Sequence, residues 1–150
     1  MRRFLRYWLP AILWALFILL LSGEMGQSRI TLEIVRAVLL FVLPSLDHTT
    51  VELVHTILRK LAHVVVYAIF TLLLYRAFQQ DAAHGRWGRW ALFSALLALG
   101  VAGLDEFHQA YQLPRTGSAL DVGLNAVGVF LGQGILVWKR YRERVQSRYV

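Results

Sequence analysis

Cysteine is absent from the chain. That excludes a disulfide framework and a thiolate metal site, and leaves the redox compartment unread. Acidic residues are scarce, nine against sixteen lysines and arginines. Proline occurs only three times in 150 residues. There is no Gly/Ser-rich linker, low-complexity stretch or internal repeat. The length suits a single domain, residues 1–150, and is too short for two. What is abundant is apolar: 57% of residues are hydrophobic and the mean hydropathy is +0.52. Soluble domains lie nearer about 45–50%, so the excess points towards lipid.

Four segments approach the roughly 17–25 residues that cross a bilayer as a helix. They cover about 5–22, 61–78, 87–104 and 119–138, and a basic tail follows at 139–150. The expected fold is therefore all-α, a polytopic membrane protein with four transmembrane helices. A shorter apolar stretch, Ile30 to Leu43, carries Arg29, Glu33 and Arg36 on one side. It is short for a span, and its polar face favours an interfacial amphipathic helix between spans one and two over a fifth span or a re-entrant segment. Thr49 and Glu52 have capping-box spacing and predict the start of the helix that leads into span two. Ser118 and Asp121 give a similar signal for the fourth span. The basic N-terminus and first apolar run have the outline of a signal peptide. The three further apolar segments leave no soluble domain to export and favour a span.

The net charge of +7 would suggest nucleic acid in a soluble protein. Here the charges sit between apolar runs, so no nucleic-acid partner is expected. Arg2, Arg3, Arg6, Arg76, Arg86, Arg89, Lys139, Arg140, Arg142, Arg144 and Arg148 fall on one side of the spans, with only Asp81 and Glu143. The other side has five basic and seven acidic residues. The positive-inside rule then predicts both termini in the cytoplasm. It also brings the basic tail close to anionic lipid.

Three clusters have residue types suited to chemistry. Lys60, His63 and Tyr67 are spaced i, i+3, i+7 on one helical stripe, which Thr71 extends. Asp121, Asn125, Gly128 and Gly132 share a face of the fourth span. Gly128 and Gly132 form a small-xxx-small pair, so this face should meet a neighbouring helix. Asp105, Glu106, His108 and Gln109 end the third span, and Pro114, Arg115, Thr116, Gly117 and Ser118 follow in a loop. Asp105 and Gln109 share a face. The predicted topology gathers all three clusters at the extracytoplasmic end.

In that setting His63, Asp105, Glu106 and Asp121 are candidates for acid/base work. Lys60 and Arg115 suit a phosphate or carboxylate. Tyr67, Gln109, Ser118 and Asn125 are candidate ligand-binding residues. Each also has a plainer reading: Lys60 snorkels, Asp121 satisfies a helix N-terminus, and the paired acids are solvated. His63 and the acids could hold a divalent metal, but no tight ligand spacing appears, so neither a metal nor a cofactor is expected.

With those pieces in place, the sequence resembles the VanZ-like family of small bacterial membrane proteins. The resemblance rests on Lys60-x-x-His63-x-x-x-Tyr67, Asp105-Glu106-x-x-Gln109 and Arg115-x-x-Ser118-x-x-Asp121-x-x-x-Asn125-x-x-Gly128. It runs from Leu5 to Trp138. One departure is Ser22-Gly23-Glu24-Met25, where the family often has a short serine- and glutamine-containing motif. The resemblance implies a multi-span protein of the bacterial cytoplasmic (inner) membrane, connected with resistance to the glycopeptide teicoplanin. Some relatives carry a butyryl-transferring label, but this chain offers no acyl-coenzyme site. Two readings stay open. One is an envelope-facing site that binds or modifies an anionic, lipid-linked component. The other is a non-catalytic protein whose polar cluster locks helix packing. Transport is the weaker third, since the deeper spans hold no ionisable residue except tyrosine.

Overall fold

The computed structural model describes residues 1–22, 28–80, 86–110 and 119–147. Every regular element among them is an α-helix: α1 Arg2–Ser22, α2 Ser28–Val42, α3 His48–Gln79, α4 Trp87–Ala110 and α5 Ala119–Gln146. Four of them, α1, α3, α4 and α5, are long and apolar enough to cross a membrane. The 15-residue α2 is not among these.

Side-chain pairings set the directions. Arg6 lies by Arg76, Trp8 by Phe78 and Trp14 by Val66, so α1 runs antiparallel to α3. His63 meets Asn125, while Gly128 and Gly132 lie against Val64 and Ala68, so α3 and α5 are parallel. Tyr67 meets Asp105, and Gln133 meets Ala91 and Ser94, so α4 opposes both. The start of α1, the end of α3, the start of α4 and the end of α5 thus share one end, here the basic end. α2 and the start of α3 are at the other. Helix α3 packs against each of the other four.

The seam of α4 reads Ala91, Ser94, Ala98, Ala102 and Asp105, spaced so that one face turns inward. Small residues there let the helices approach closely, the usual device where lipid supplies no hydrophobic drive. The expected close approach of α5 is present. A Cβ on Gly128 would collide with the Val64 carbonyl, and one on Gly132 would stand 2.9 Å from the Ala68 oxygen. Large apolar side chains face outward instead, among them Leu13, Leu16, Leu20, Leu92, Leu96 and Phe130.

At the basic end aromatic rings interlock. Trp8 packs edge-on to Phe78 at 5.1 Å between centroids, and Phe78 stacks on Trp90 at 6.0 Å. Rings of this kind favour the level of lipid headgroups.

One boundary differs from expectation. Thr49 does not start α3; it lies inside the first turn, and Asp47 is the N-cap. The Asp47 carboxylate accepts from the Thr50 N–H at 3.0 Å and from the Thr50 hydroxyl at 2.6 Å. That double acceptance outcompetes the Thr49/Glu52 box, and Glu52 lies beside His48 at 3.5 Å instead. The basic tail is largely helical, since α5 continues through Lys139 and Arg144 to Gln146. Arg142 stacks over Trp138 at 5.1 Å, and Arg140 pairs with Glu143 at 3.3 Å. Ser118 lies outside the described residues, while Asp121 is in the first turn of α5.

Candidate functional site

Two hydrogen bonds, one helical turn apart on α3, define the polar region away from the basic end. His63 Nδ1 is 2.9 Å from Asn125 Oδ1 on α5. The Tyr67 hydroxyl donates to Asp105 Oδ2 on α4 at 3.3 Å. The spacing i, i+4 explains why both side chains leave the same face of α3. They diverge only because α4 and α5 flank that face on opposite sides.

Burial is deep for such polar groups. Asn125 is fully buried, and Asp105 and Glu106 retain only 2% and 5% of their exposure. Buried carboxylates are costly unless hydrogen-bonded or charge-compensated. Tyr67, itself 1% exposed, is one compensating donor. Thr71 satisfies its own buried hydroxyl by donating to the Tyr67 carbonyl at 2.8 Å. His63 and Asp121 are half-buried, at the margin of the cluster.

The structure thus brings together His63, Tyr67, Asp105 and Asn125, with Glu106 buried beside Asp105 and Asp121 one turn before Asn125. Lys60 has the expected register, one turn before His63, but its side chain is exposed. Arg115 and Ser118 lie outside the described residues, as does the side chain of Gln109. Among the described residues, no three of His, Cys, Asp or Glu gather closely enough to hold a metal ion.

Some polar contacts escaped the sequence analysis. The Thr31 hydroxyl and His55 Nε2 are 2.9 Å apart and tie α2 to α3. His55 is 8% exposed. A histidine eight residues before His63 was the only available signal. A second polar layer lies nearer the basic end, where Gln133 Nε2 donates to the Ala91 carbonyl at 2.9 Å and to Ser94 Oγ at 3.1 Å. Trp14 Nε1 donates to the Val66 carbonyl at 3.0 Å, pinning α1 to α3.

Four apolar helices around a buried polar cluster define a multi-pass membrane protein. A family profile described as VanZ/LLP1 matches residues 7–140, nearly the whole chain, and the protein belongs to that family. No curated protein and no solved structure gives a significant match.

Proposed function

We propose that this VanZ-family protein carries, on the extracytoplasmic side of the bacterial inner membrane, a polar site that binds or modifies a lipid-linked envelope component. The orientation is supported by charge. Arg2, Arg3, Arg6, Arg76, Arg86, Arg89 and the basic residues of α5 share the end opposite the site, and basic loops favour the cytoplasm. Both termini then face the cytoplasm, and α2 lies in the outer interface with Ile34, Val38 and Phe41 towards lipid.

The observation that carries the reading is the pair of bonds His63–Asn125 and Tyr67–Asp105 beside two buried carboxylates. Ionisable groups within membrane helices are expensive and mark functional positions by default. Lys60, exposed at the rim, and Arg115 suit a phosphate or carboxylate of the ligand. His63 is the candidate acid or base, and Asp105, Glu106 and Asp121 are the candidate acids of the same polar region. Glycopeptide (teicoplanin) resistance is the phenotype that family membership suggests.

The test has two arms. A deletion strain complemented with wild type or His63→Ala is profiled for antibiotic and envelope-stress sensitivity, and the variant is expected to fail. Native mass spectrometry then compares lipids carried by wild type and by a Lys60→Gln/Arg115→Gln variant. Identical co-purifying lipids count against the anion-holding role.

The full burial of Asn125 and Tyr67 favours a second reading, a polar cluster that only locks helix packing. Networks of this kind can fix a unique arrangement. Here His63→Ala lowers thermal stability in detergent. Loss of phenotype at unchanged stability rejects the packing reading.

A further inference from the structure

We propose that His63 acts through Nε2, and that Asn125 is the positioning residue which keeps that nitrogen a hydrogen-bond acceptor. The ligand side of this inference rests on the function proposed above; the state of the ring does not.

His63 Nδ1 faces Asn125 Oδ1 at 2.9 Å. An amide oxygen only accepts, so the hydrogen between them belongs to Nδ1. A neutral imidazole has one N–H, which leaves Nε2 with its lone pair. Histidine in water prefers the opposite tautomer, so this arrangement is imposed by the fold. Nε2 itself has no hydrogen-bond partner among the described residues and is not sealed from solvent. The Asn125 amide turns Oδ1 to the ring while its Nδ2 has no hydrogen-bond partner among the described residues, so Asn125 is held by burial and not by a second bond. It is fully buried on the face of α5 that Gly128 brings against the backbone of α3.

Among the described residues, no neighbour competes for the ring. The Tyr67 hydroxyl is committed to Asp105. Lys60, one turn before His63, is exposed, and Asp121, one turn before Asn125, is half-buried. The half-buried histidine therefore offers an acceptor. Its complement is a hydroxyl or an ammonium N–H on the ligand, the chemistry of a sugar, glycerol or amine headgroup. A bare phosphate oxygen would meet lone pair with lone pair. Lys60, exposed one turn before His63, remains for the anionic part of the same molecule. If the ring takes up a second proton at Nε2, Nδ1–H still donates to Asn125. The same residue thus accommodates both charge states.

The test reads the ring directly. Protein labelled with ¹⁵N-histidine is placed in phosphatidylcholine nanodiscs at mildly alkaline pH. The His63 signals are assigned by their loss in His63→Gln. Wild type is expected to show a pyrrole-like Nδ1 and a pyridine-like Nε2. Asn125→Leu should reverse the two, whereas Asn125→Asp, whose carboxylate also only accepts, should preserve them. Thermal unfolding establishes that each variant is folded; if Asn125→Leu is not, wild type and Asn125→Asp decide. A protonated Nε2 in neutral wild type overturns the proposal, as does an unchanged tautomer in folded Asn125→Leu. Should the tautomer be as expected while His63→Ala complements the deletion strain fully, the assignment of the ring stands and the function proposed for the site falls.

Discussion

Arg76 on α3 donates to the main-chain carbonyl of Arg6 on α1, at 3.4 Å. That carbonyl is the one Pro10 leaves without its helical partner, because proline has no N–H to return to the residue four before it. The same guanidinium lies over the Tyr7 ring at 5.4 Å. A helix-breaking residue in a span is thus compensated by a side chain from the neighbouring helix. The two residues should be coupled. Arg76→Gln is expected to lower thermal stability in wild type by an amount on the order of 0.5–1 kcal/mol, typical of an exposed cation–π contact. In a Pro10→Ala background the loss should be smaller. A double-mutant cycle in detergent gives the answer, and strict additivity would rule the compensation out.

The contact of α5 with α3 makes a graded prediction. Gly128→Ala places a methyl against the Val64 carbonyl and 3.1 Å from Tyr67 Cβ, with backbone on one side that cannot yield. Overpacking of this kind costs about 1–3 kcal/mol. Gly134→Ala, on the same helix with nothing within 4 Å, should be neutral or slightly stabilising. Thermal denaturation of the two purified variants makes the comparison, and equal midpoints would contradict the packing described.

Tyr67→Phe keeps the ring and removes only the donor to Asp105. Hydrogen bonds between membrane helices average about 0.6 kcal/mol and reach about 1.7. Leaving a buried carboxylate with one donor fewer should bring this bond towards the upper figure. Asp105→Asn in the same background should recover part of the loss, since a neutral amide needs less compensation. A phenylalanine variant as stable as wild type would show that the bond contributes nothing.

Docking of α2 depends on the pair Thr31–His55. Thr31→Val is nearly isosteric, removes the hydroxyl and leaves a buried imidazole with one partner fewer, at a cost of about 1–3 kcal/mol. The prediction is local. Hydrogen exchange should quicken across Ser28–Val42 while α3 to α5 keep their protection. Uniform quickening in all helices would mean that the pair supports the whole bundle instead.

The start of α3 should respond to acid. The Thr50 hydroxyl and then the Thr50 N–H, both bonded to Asp47, hold its carboxyl below the usual carboxylate range. Because the folded value is the lower one, the cap's stabilisation is complete above the ordinary carboxyl value of 3.8. It fades as pH falls through the depressed one. Asp47→Ala should therefore weaken amide protection at Thr50 and Val51 at neutral pH. The difference from wild type should vanish in strong acid. A difference that persists at low pH would mean another contact caps the helix.

The four spans were legible because lipid demands long apolar runs, and nothing in the chain competes with that signal. The faces were legible where spacing carried them. Gly128 and Gly132 announced that one face of α5 meets a neighbouring helix, and His63 and Tyr67 announced a shared stripe. Pairing across helices was not legible. Spacing says that Asn125 and His63 both face inward, but not that they meet, because register between helices depends on side-chain volumes throughout the seam. The N-cap was misplaced for a local reason. Asp47 and Thr49 are both good caps, and Asp47 prevails because its carboxylate accepts from both the hydroxyl and the N–H of Thr50. His55 passed unnoticed because its partner Thr31 lies on a helix whose docking no periodicity encodes.

The bundle has polar bonds at two levels with an apolar slab of Ala98, Ala102 and Val129 in the interior between them. At one level α3 holds α4 and α5 through Tyr67–Asp105 and His63–Asn125; at the other, α4 holds α5 through Ser94 and Gln133. The pairs are chemically unlike, so no pair can substitute for another. Sliding α4 or α5 by one turn, about 5.4 Å, would break bonds at both levels, and sliding α3 would break those at one. The arrangement works as a two-point key that sets the register of α4 against α5.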